Sequence, residues 1–365
     1  MMTIVSLPNA RADVRFEFGL NGGYTNNLFF DASDVLDRHT TGTAAVKYYP
    51  LSWLELNLSG HNSVYGEIPE LSSRMGKIGF VAFPLSQDSK FAVSLSGSYD
   101  GTRYHDDLAS FDNNNFNGRL AVGYRFLPAL AGRIGGTIQT TSYLVSESGD
   151  KRSAEVFAGL NATVLGNNSL DIEFGYGAAD YKEIDRSLEF LPIGPYGEDP
   201  EAALLNATLR SIYFSPRLSR PLGSKTGVNL TLLYRNFQNA DGAMVLGSST
   251  GLLSPWSSVW EGNSVTLTVK TYLIKTLTVS AGAGYWNKTY LQTLEQEDYP
   301  WRSKWGTERD DIQKRVYLQV LRPITVWRDD FLQPKIQVDY THNNSTNELY
   351  DFSGFSIDLG VSLQF

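Results

Sequence analysis

The sequence predicts an all-β protein, a transmembrane antiparallel up-and-down β-barrel of about sixteen strands with both termini on the periplasmic side. Three observations predict it. Apolar and polar residues alternate along most of the chain from Asp13 onward. The connections between alternating segments are short and long in turn. Aromatic residues collect near the segment ends.

Strict alternation is the two-residue period of a strand with unlike faces. The last segment carries Phe355, Ile357, Leu359, Val361, Leu363 and Phe365 on one face, and Gly354, Ser356, Asp358, Gly360, Ser362 and Gln364 on the other. Near the start, Val14, Phe16, Phe18 and Leu20 oppose Arg15, Glu17 and Gly19; further on, Leu54, Leu56 and Leu58 oppose Glu55, Asn57 and Ser59. Small and charged residues on the second face rule out a second dry layer.

Sixteen such segments are expected, at approximately 14–24, 39–49, 53–65, 72–83, 90–104, 114–126, 132–145, 152–165, 170–181, 203–218, 226–237, 258–272, 277–290, 310–322, 332–343 and 351–365. Short connections hold Pro50-Leu51-Ser52, Leu127-Pro128-Ala129-Leu130 and Pro221-Leu222-Gly223-Ser224. Long ones, such as 182–202, 238–257 and 291–309, are irregular. This asymmetry is expected of a membrane barrel, and an even strand number returns both ends to the short-turn side. Tyr48, Tyr65, Phe83, Tyr99, Tyr104, Phe126, Tyr143, Tyr181, Tyr290 and Tyr340 lie near segment ends and fit interfacial girdles. A β-propeller and a soluble sandwich are the rivals. No blade signature recurs, and the long loops spoil the regular turns of a sandwich.

Composition excludes several classes. A net charge of −8 argues against a nucleic-acid partner, which needs a basic face. With no cysteine there is no disulfide framework, zinc–cysteine site or thiol catalysis. No run of eighteen apolar residues marks a membrane helix. Residues 1–12 end in Ala10-Arg11-Ala12 after a short apolar run, and read as the remnant of a signal peptide with a truncated or misassigned start. Residues 13–365 then form a single barrel domain.

The C-terminal aromatic Phe365, with Leu363 and Val361 at alternate positions before it, resembles the ending of Gram-negative outer-membrane β-barrel proteins of the porin-like kind. In that family the last strand is an assembly signal read by the barrel-assembly machinery, so the resemblance implies that partner. Gly22-Gly23-Tyr24-Thr25-Asn26-Asn27-Leu28-Phe29 resembles the opening of porin-like barrels associated with exopolysaccharide systems. The resemblance implies an integral outer-membrane location, among bilayer lipid and lipopolysaccharide.

Strand parity assigns the lumen. The expected pore-lining cations are Arg15, Lys47, Lys77, Arg119, Arg125, Arg133, Arg235, Lys270, Arg315 and Lys335. The expected acids are Glu17, Glu55, Glu155, Asp171, Glu173, Asp339 and Asp358. A lumen with so many charges is wet or densely paired, because unpaired buried charge is prohibitive. The cations concentrate on segments four to seven and eleven to fourteen. Opposed signs across the bore would make a transverse field; alternatively, the charges pair with neighbours on adjacent strands.

Loop acids, among them Asp31, Asp34, Asp37, Asp106, Asp107, Asp112, Glu183 and Asp185, read as solvated, and no metal site or cofactor is expected. The apolar loop stretch Ala243-Met244-Val245-Leu246 could cap the mouth, touch a partner or pack on the wall. No catalytic residue is assigned. His61 and Ser63 have the spacing of an outer-membrane phospholipase pair but fall on the inner face. His105-Asp106-Asp107 is similar to the Asp/His chemistry of outer-membrane proteases, but a second acidic partner cannot be assigned, and His39 and His342 have no evident companions.

The expected function is a channel passing hydrophilic solutes through a charged, water-filled lumen. One alternative is the barrel component of an exopolysaccharide export machine working with separate periplasmic proteins. It would carry an inward aromatic track from Tyr143, Phe157, Trp286 and Tyr317. An outer-membrane enzyme is the remaining alternative.

Overall fold

The computed structural model is a closed antiparallel barrel. It describes residues 13–28, 35–85, 89–145, 150–164, 167–181, 207–239, 260–274, 276–290, 293–296, 303–306, 309–327 and 330–365. Residues 1–12, expected from the sequence to be a signal remnant, the acids Asp31, Asp34, Glu183 and Asp185, and the apolar stretch at 243–246 lie outside the described residues.

Sixteen long strands form the wall. They are β1 (Asp13–Thr25), β2 (Asp37–Leu51), β3 (Leu54–Tyr65), β4 (Ser73–Ala82), β5 (Phe91–Tyr104), β6 (Asn113–Leu127), β7 (Leu130–Tyr143), β8 (Lys151–Val164), β9 (Asn168–Tyr181), β10 (Ala207–Leu222), β11 (Thr226–Asn239), β12 (Trp260–Tyr272), β13 (Thr278–Tyr290), β16 (Arg309–Leu321), β18 (Asp330–Ser345) and β19 (Phe352–Gln364). A small hairpin, β14 (Thr293–Gln296) with β15 (Ser303–Gly306), stands apart, and β17 (Ile324–Trp327) folds back on the start of β18. Each wall strand pairs with its sequence neighbours, and β1 pairs with β19 to close the ring. At the seam the Phe16 and Phe365 amides each donate to the other's carbonyl, at 2.7 and 3.0 Å. A closed ring leaves no unpaired strand edge, the requirement for a sheet surrounded by lipid.

Register carries one apolar face round the outside. Phe18 stands opposite Leu363 and Ala44; Leu58 stands opposite Val46 and Ile78; Tyr99 stands opposite Ile78 and Phe116. These side chains are exposed: Ile78 is 60% accessible and Ile134 66%. Large apolar residues buried in the described chain are few, chiefly Phe157, Leu209, Phe237, Trp260 and Phe352. A soluble sandwich or propeller would bury the first set, so both rivals are excluded. No helix among the described residues is long and apolar enough to cross a membrane.

All sixteen predicted segments are strands. The largest boundary difference is β10, predicted at 203–218 and observed at Ala207–Leu222. Its turn is at Gly223, where φ is +73°, so Pro221 and Leu222 belong to the strand and not to the turn.

Two groups of residues are not where the sequence placed them. Register puts Tyr65, Tyr104, Tyr143 and Tyr290 on the inner face, opposite His39, Ser73, Asn113 and Trp260, so they are not girdle residues, and Tyr143 faces inward as the expected aromatic track has it. They form part of an inner collar at the long-loop rim. The outward aromatics are Tyr48, Tyr99, Phe126 and Tyr340. Among the acids, Asp37 is not a solvated loop residue. It begins β2 fully buried, and its carboxylate accepts the backbone N–H groups of Arg38, Gly66, Glu67 and Ile68 at 2.5–3.3 Å. Asp112 is likewise structural, accepting the Tyr104 N–H at 2.7 Å.

Candidate functional site

The inner face is the chemically loaded surface. Sixteen strands about 4.8 Å apart and tilted about 40° give a backbone radius of about 16 Å, wide enough for an aqueous bore. Each expected pore-lining residue lies on the strand face opposite the exposed apolar side chains. Arg15 pairs in register with Lys47, Glu17 with Ala45, and Glu55 with Val81. Lys77 faces Asp100, Arg119 faces Ser96 and Thr137, and Arg125 faces Ala131. Lys270 faces Ser280, Lys335 faces Gly360, and Asp358 faces Gln337.

The strongest cluster lies on β6–β10. Arg133 on β7 donates to both Asp171 oxygens at 2.6 and 2.8 Å and to Glu173 Oε2 at 2.8 Å, both acids being on β9. It reaches past β8 because the intervening position is Gly159. A Cβ there would lie 2.8 Å from the Arg133 Cζ. Asn161 adds a bond to Asp171 at 3.2 Å. On β10, Tyr213 lies back across Gly175, where a Cβ would come within 2.2 Å of its ring. Its hydroxyl is 2.8 Å from Glu155 Oε1 and 2.9 Å from Glu173 Oε1. A phenol has one proton, so it donates to one carboxylate at a time. Arg119 stacks over Phe157, with Cζ 4.6 Å from the ring centroid. Contacts that skip a whole strand, such as Arg133 to Asp171 and Tyr213 to Glu155, fit the concave side of a curved sheet.

A second cluster lies on β16 and β18. Arg315 Nε donates to Asp339 Oδ1 at 2.7 Å, Gln337 donates to Asp339 Oδ2 at 2.6 Å, and Gln319 donates to Gln337 at 3.0 Å. Tyr317 extends over Gly282 to Thr268 at 3.3 Å. A third group sits beside the seam, with Lys47 Nζ 3.5 Å from Glu17 and His39 Nε2 3.2 Å from Asp358. His39 therefore has a companion after all. His342 also has one: its Nδ1 is 2.9 Å from Ser353 Oγ, on the outer face.

Arg315 and Lys47 pair with acids on the adjacent strand, whereas Arg133 pairs with acids two strands away. Lys77, Arg125, Lys335 and the unpredicted Arg217 make no ion pair or hydrogen bond among the described residues, and neither does Lys270, whose ammonium lies 5.6 Å from the Tyr272 ring centroid. Arg119 stacks over the Phe157 ring and lies within electrostatic reach of Glu155 without an ion pair. The inner wall consequently presents unpaired positive charge.

Several inner residues escaped the sequence reading. Asp100, buried and bonded by Asn115 at 2.9 Å, lies on the lumenal parity of β5. Near the long-loop rim, Arg309 lies between the rings of Tyr290 and Tyr350, at 3.8 and 3.6 Å, and pairs with buried Asp311 at 3.0 Å. Trp260 stacks with Arg235 and Lys288. Parity counted outward from the apolar stretch of each strand would have found them, since the alternation continues past the last outward hydrophobe.

His61 and Ser63 are on the inner parity of β3, and Ser63 bonds Thr41 at 3.0 Å. Among the described residues no cluster of three metal-ligating side chains occurs.

No family model and no curated protein matches the sequence. Solved structures do. A doubly substituted OccD1 (OprD) aligns with a TM-score of 0.50 at 9% identity, covering 97% of this chain and 95% of that one. OccAB1 of Acinetobacter baumannii gives 0.48 at 8% identity, with 96% and 97% covered. A bacterial polysaccharide outer membrane secretin gives 0.49 at 10%, with 96% and 98% covered. The OccD1 likeness runs nearly end to end and shows that the chain shares the fold of an outer-membrane barrel channel.

Proposed function

We propose that the chain is an integral outer-membrane channel whose water-filled lumen passes hydrophilic solutes and favours anions. One observation carries this reading. Arg133 is paired with Asp171 and Glu173 and Arg315 with Asp339, while Arg125, Lys270 and Lys335 have no acidic partner among the described residues, and Lys77 and Arg217 face Asp100 and Asp171 across neighbouring strands without forming an ion pair. Desolvating so many cations in a dry plug would be prohibitive, so water and mobile anions must surround them. Rings of one sign in a pore select the opposite ion.

In this reading residues 13–365 are one barrel domain, residues 1–12 are the remnant of an export signal, and both ends of the barrel sit on the periplasmic side. The apolar belt contacts bilayer lipid and lipopolysaccharide, and the strand ending in Val361, Leu363 and Phe365 is the signal read by the barrel-assembly machinery. No catalytic role is assigned to any residue.

Planar-bilayer recording tests it. The purified barrel should give ohmic single-channel steps and, under a KCl gradient, a reversal potential of anion-selective sign. A silent bilayer, or cation selectivity, would overturn it.

A second reading is the barrel of an exopolysaccharide export machine acting with separate periplasmic proteins. The inner collar of Tyr65, Tyr104 and Tyr143, with Tyr317 laid along the wall, favours it because ring faces stack on sugars. Concentration-dependent block of the current by acidic oligosaccharides, absent with neutral solutes of equal size, would support this second role.

A further inference from the structure

The outer surface is not uniformly convex. An open groove of about 800 Å³ crosses it obliquely from β18 to β4. Its walls are Leu332, Val361 and Leu20, its floor is Gly42 and Gly60, and it ends at Arg74. A Cβ on Gly42 would meet nothing within 4 Å, so the missing side chain there leaves unfilled space and not a close backbone contact. The groove crosses five inter-strand spacings, about 24 Å at about 4.8 Å each, the scale of one extended acyl chain.

The charged end is specific. Arg74 is outward, exposed, and without a hydrogen bond or ion pair among the described residues. Its cross-strand partner is Arg103, a second outward cation. Like charges directly opposite on neighbouring strands repel. Arg103 is already held by the Thr102 and Asn113 carbonyls and the Asn114 side chain, with Asp112 only at 3.9 Å. On the other side of Arg74 is Asn62, whose amide faces the same way. An apolar trough therefore runs into two guanidinium groups and a carboxamide at the long-loop rim.

We propose that this groove seats an acyl chain of a phosphorylated glycolipid of the lipid A class, with its phosphate held by Arg74 beside Arg103. Guanidinium binds phosphate through paired charge-assisted hydrogen bonds. The Asn62 amide suits the amide and hydroxyl groups of the sugar; phosphatidylglycerol offers hydroxyls but no amide. Lipid tails are as apolar as the groove walls, so the chain adds shape fit and the head group supplies selectivity. The inference rests on the outer-membrane reading proposed above.

Native mass spectrometry of the detergent-solubilised full chain tests it, with diphosphoryl lipid A, its dephosphorylated form and phosphatidylglycerol as probes. The wild type and a distant outward control, Arg152→Ala, should retain one diphosphoryl lipid A. Arg74→Ala and the groove-filling Gly42→Leu should each lower its occupancy about tenfold, as should removal of the phosphates. Equal retention by all variants, equal binding of the dephosphorylated form, or preference for phosphatidylglycerol would overturn the proposal. So would a wild-type dimer that Gly42→Leu dissociates, since a second copy would then be the occupant. Flotation with proteoliposomes is read separately: a barrel that fails to float defeats the membrane reading itself, whereas one that floats but ignores Arg74 defeats only the lipid site.

Discussion

Arg133 grips Asp171 from two strands away, through paired bonds of 2.6 and 2.8 Å that pass over Gly159. The same guanidinium also holds Glu173 at 2.8 Å. One cation therefore serves two acids, and a glycine makes room for it. Long side chains such as Arg133, Tyr213 and Tyr317 are laid along the wall over glycines, which leaves the axis of the barrel clear of them.

Arg133→Ala should leave Asp171 and Glu173 without their common partner. Anion preference should weaken, read as a shift of the reversal potential toward the cation value. Loss of hydrogen bonds to charged groups costs about 1–3 kcal/mol each, less where water can replace them. The melting temperature should fall by a few degrees. Gly159→Val keeps the arginine and the net lumenal charge, so although its side chain would displace the guanidinium from Asp171, its selectivity shift should be smaller than that of Arg133→Ala.

Charge reversal at the unpaired lumenal cations should act more strongly. Arg119→Glu combined with Lys270→Glu should carry the channel toward cation selectivity, checked by reversal potential in a KCl gradient. Lys314→Glu, on the outer parity of β16, is the control and should leave selectivity unchanged.

Asp37→Ala should unfasten the loop that follows β3. Four backbone amides lose a carboxylate acceptor, at about 1.5–3 kcal/mol for each charge-assisted bond before water compensates. Hydrogen exchange at Gly66, Glu67 and Ile68 should accelerate more than tenfold, while strand amides in the lower wall keep their protection. Asp37→Asn should retain part of the effect, since its side-chain oxygen still accepts.

Phe365→Ala should weaken the seam. The ring stacks on Phe16 and Phe18 at 5.6 and 5.8 Å, pairs worth about 0.5–1.5 kcal/mol each. The fraction of folded, heat-modifiable barrel on a gel should drop, and folding into vesicles should slow. Phe365→Tyr should behave as the wild type.

Strand number and facing were legible because an apolar belt imposes a period of two wherever a strand crosses it. Val14 to Leu20 and Phe355 to Phe365 show that signal without interruption. Beyond the belt the signal fades, although the strands continue. Asp37, Asp100, Arg309 and Asp311 fall in those extensions, so the sequence reading placed Asp37 in a loop and left the other three off the lumenal list. The rim tyrosines failed for the same reason: a tyrosine near a strand end suits an interface or an inner collar, and only its parity decides. Pairing partners needed register. Arg133 and Asp171 are 38 positions apart, and nothing in the sequence announces that Gly159 lies between them.

Closure of the ring by β1 and β19 also constrains how the protein is made. Residues of β1 cannot complete their backbone hydrogen bonds until β19, more than 300 positions later, has been synthesised. Until then every partial sheet carries two bare edges and an uncovered greasy surface, a state prone to aggregation. All sixteen staves must be made before the cylinder can shut, and the nascent polypeptide has to be kept apart from its fellows throughout that interval.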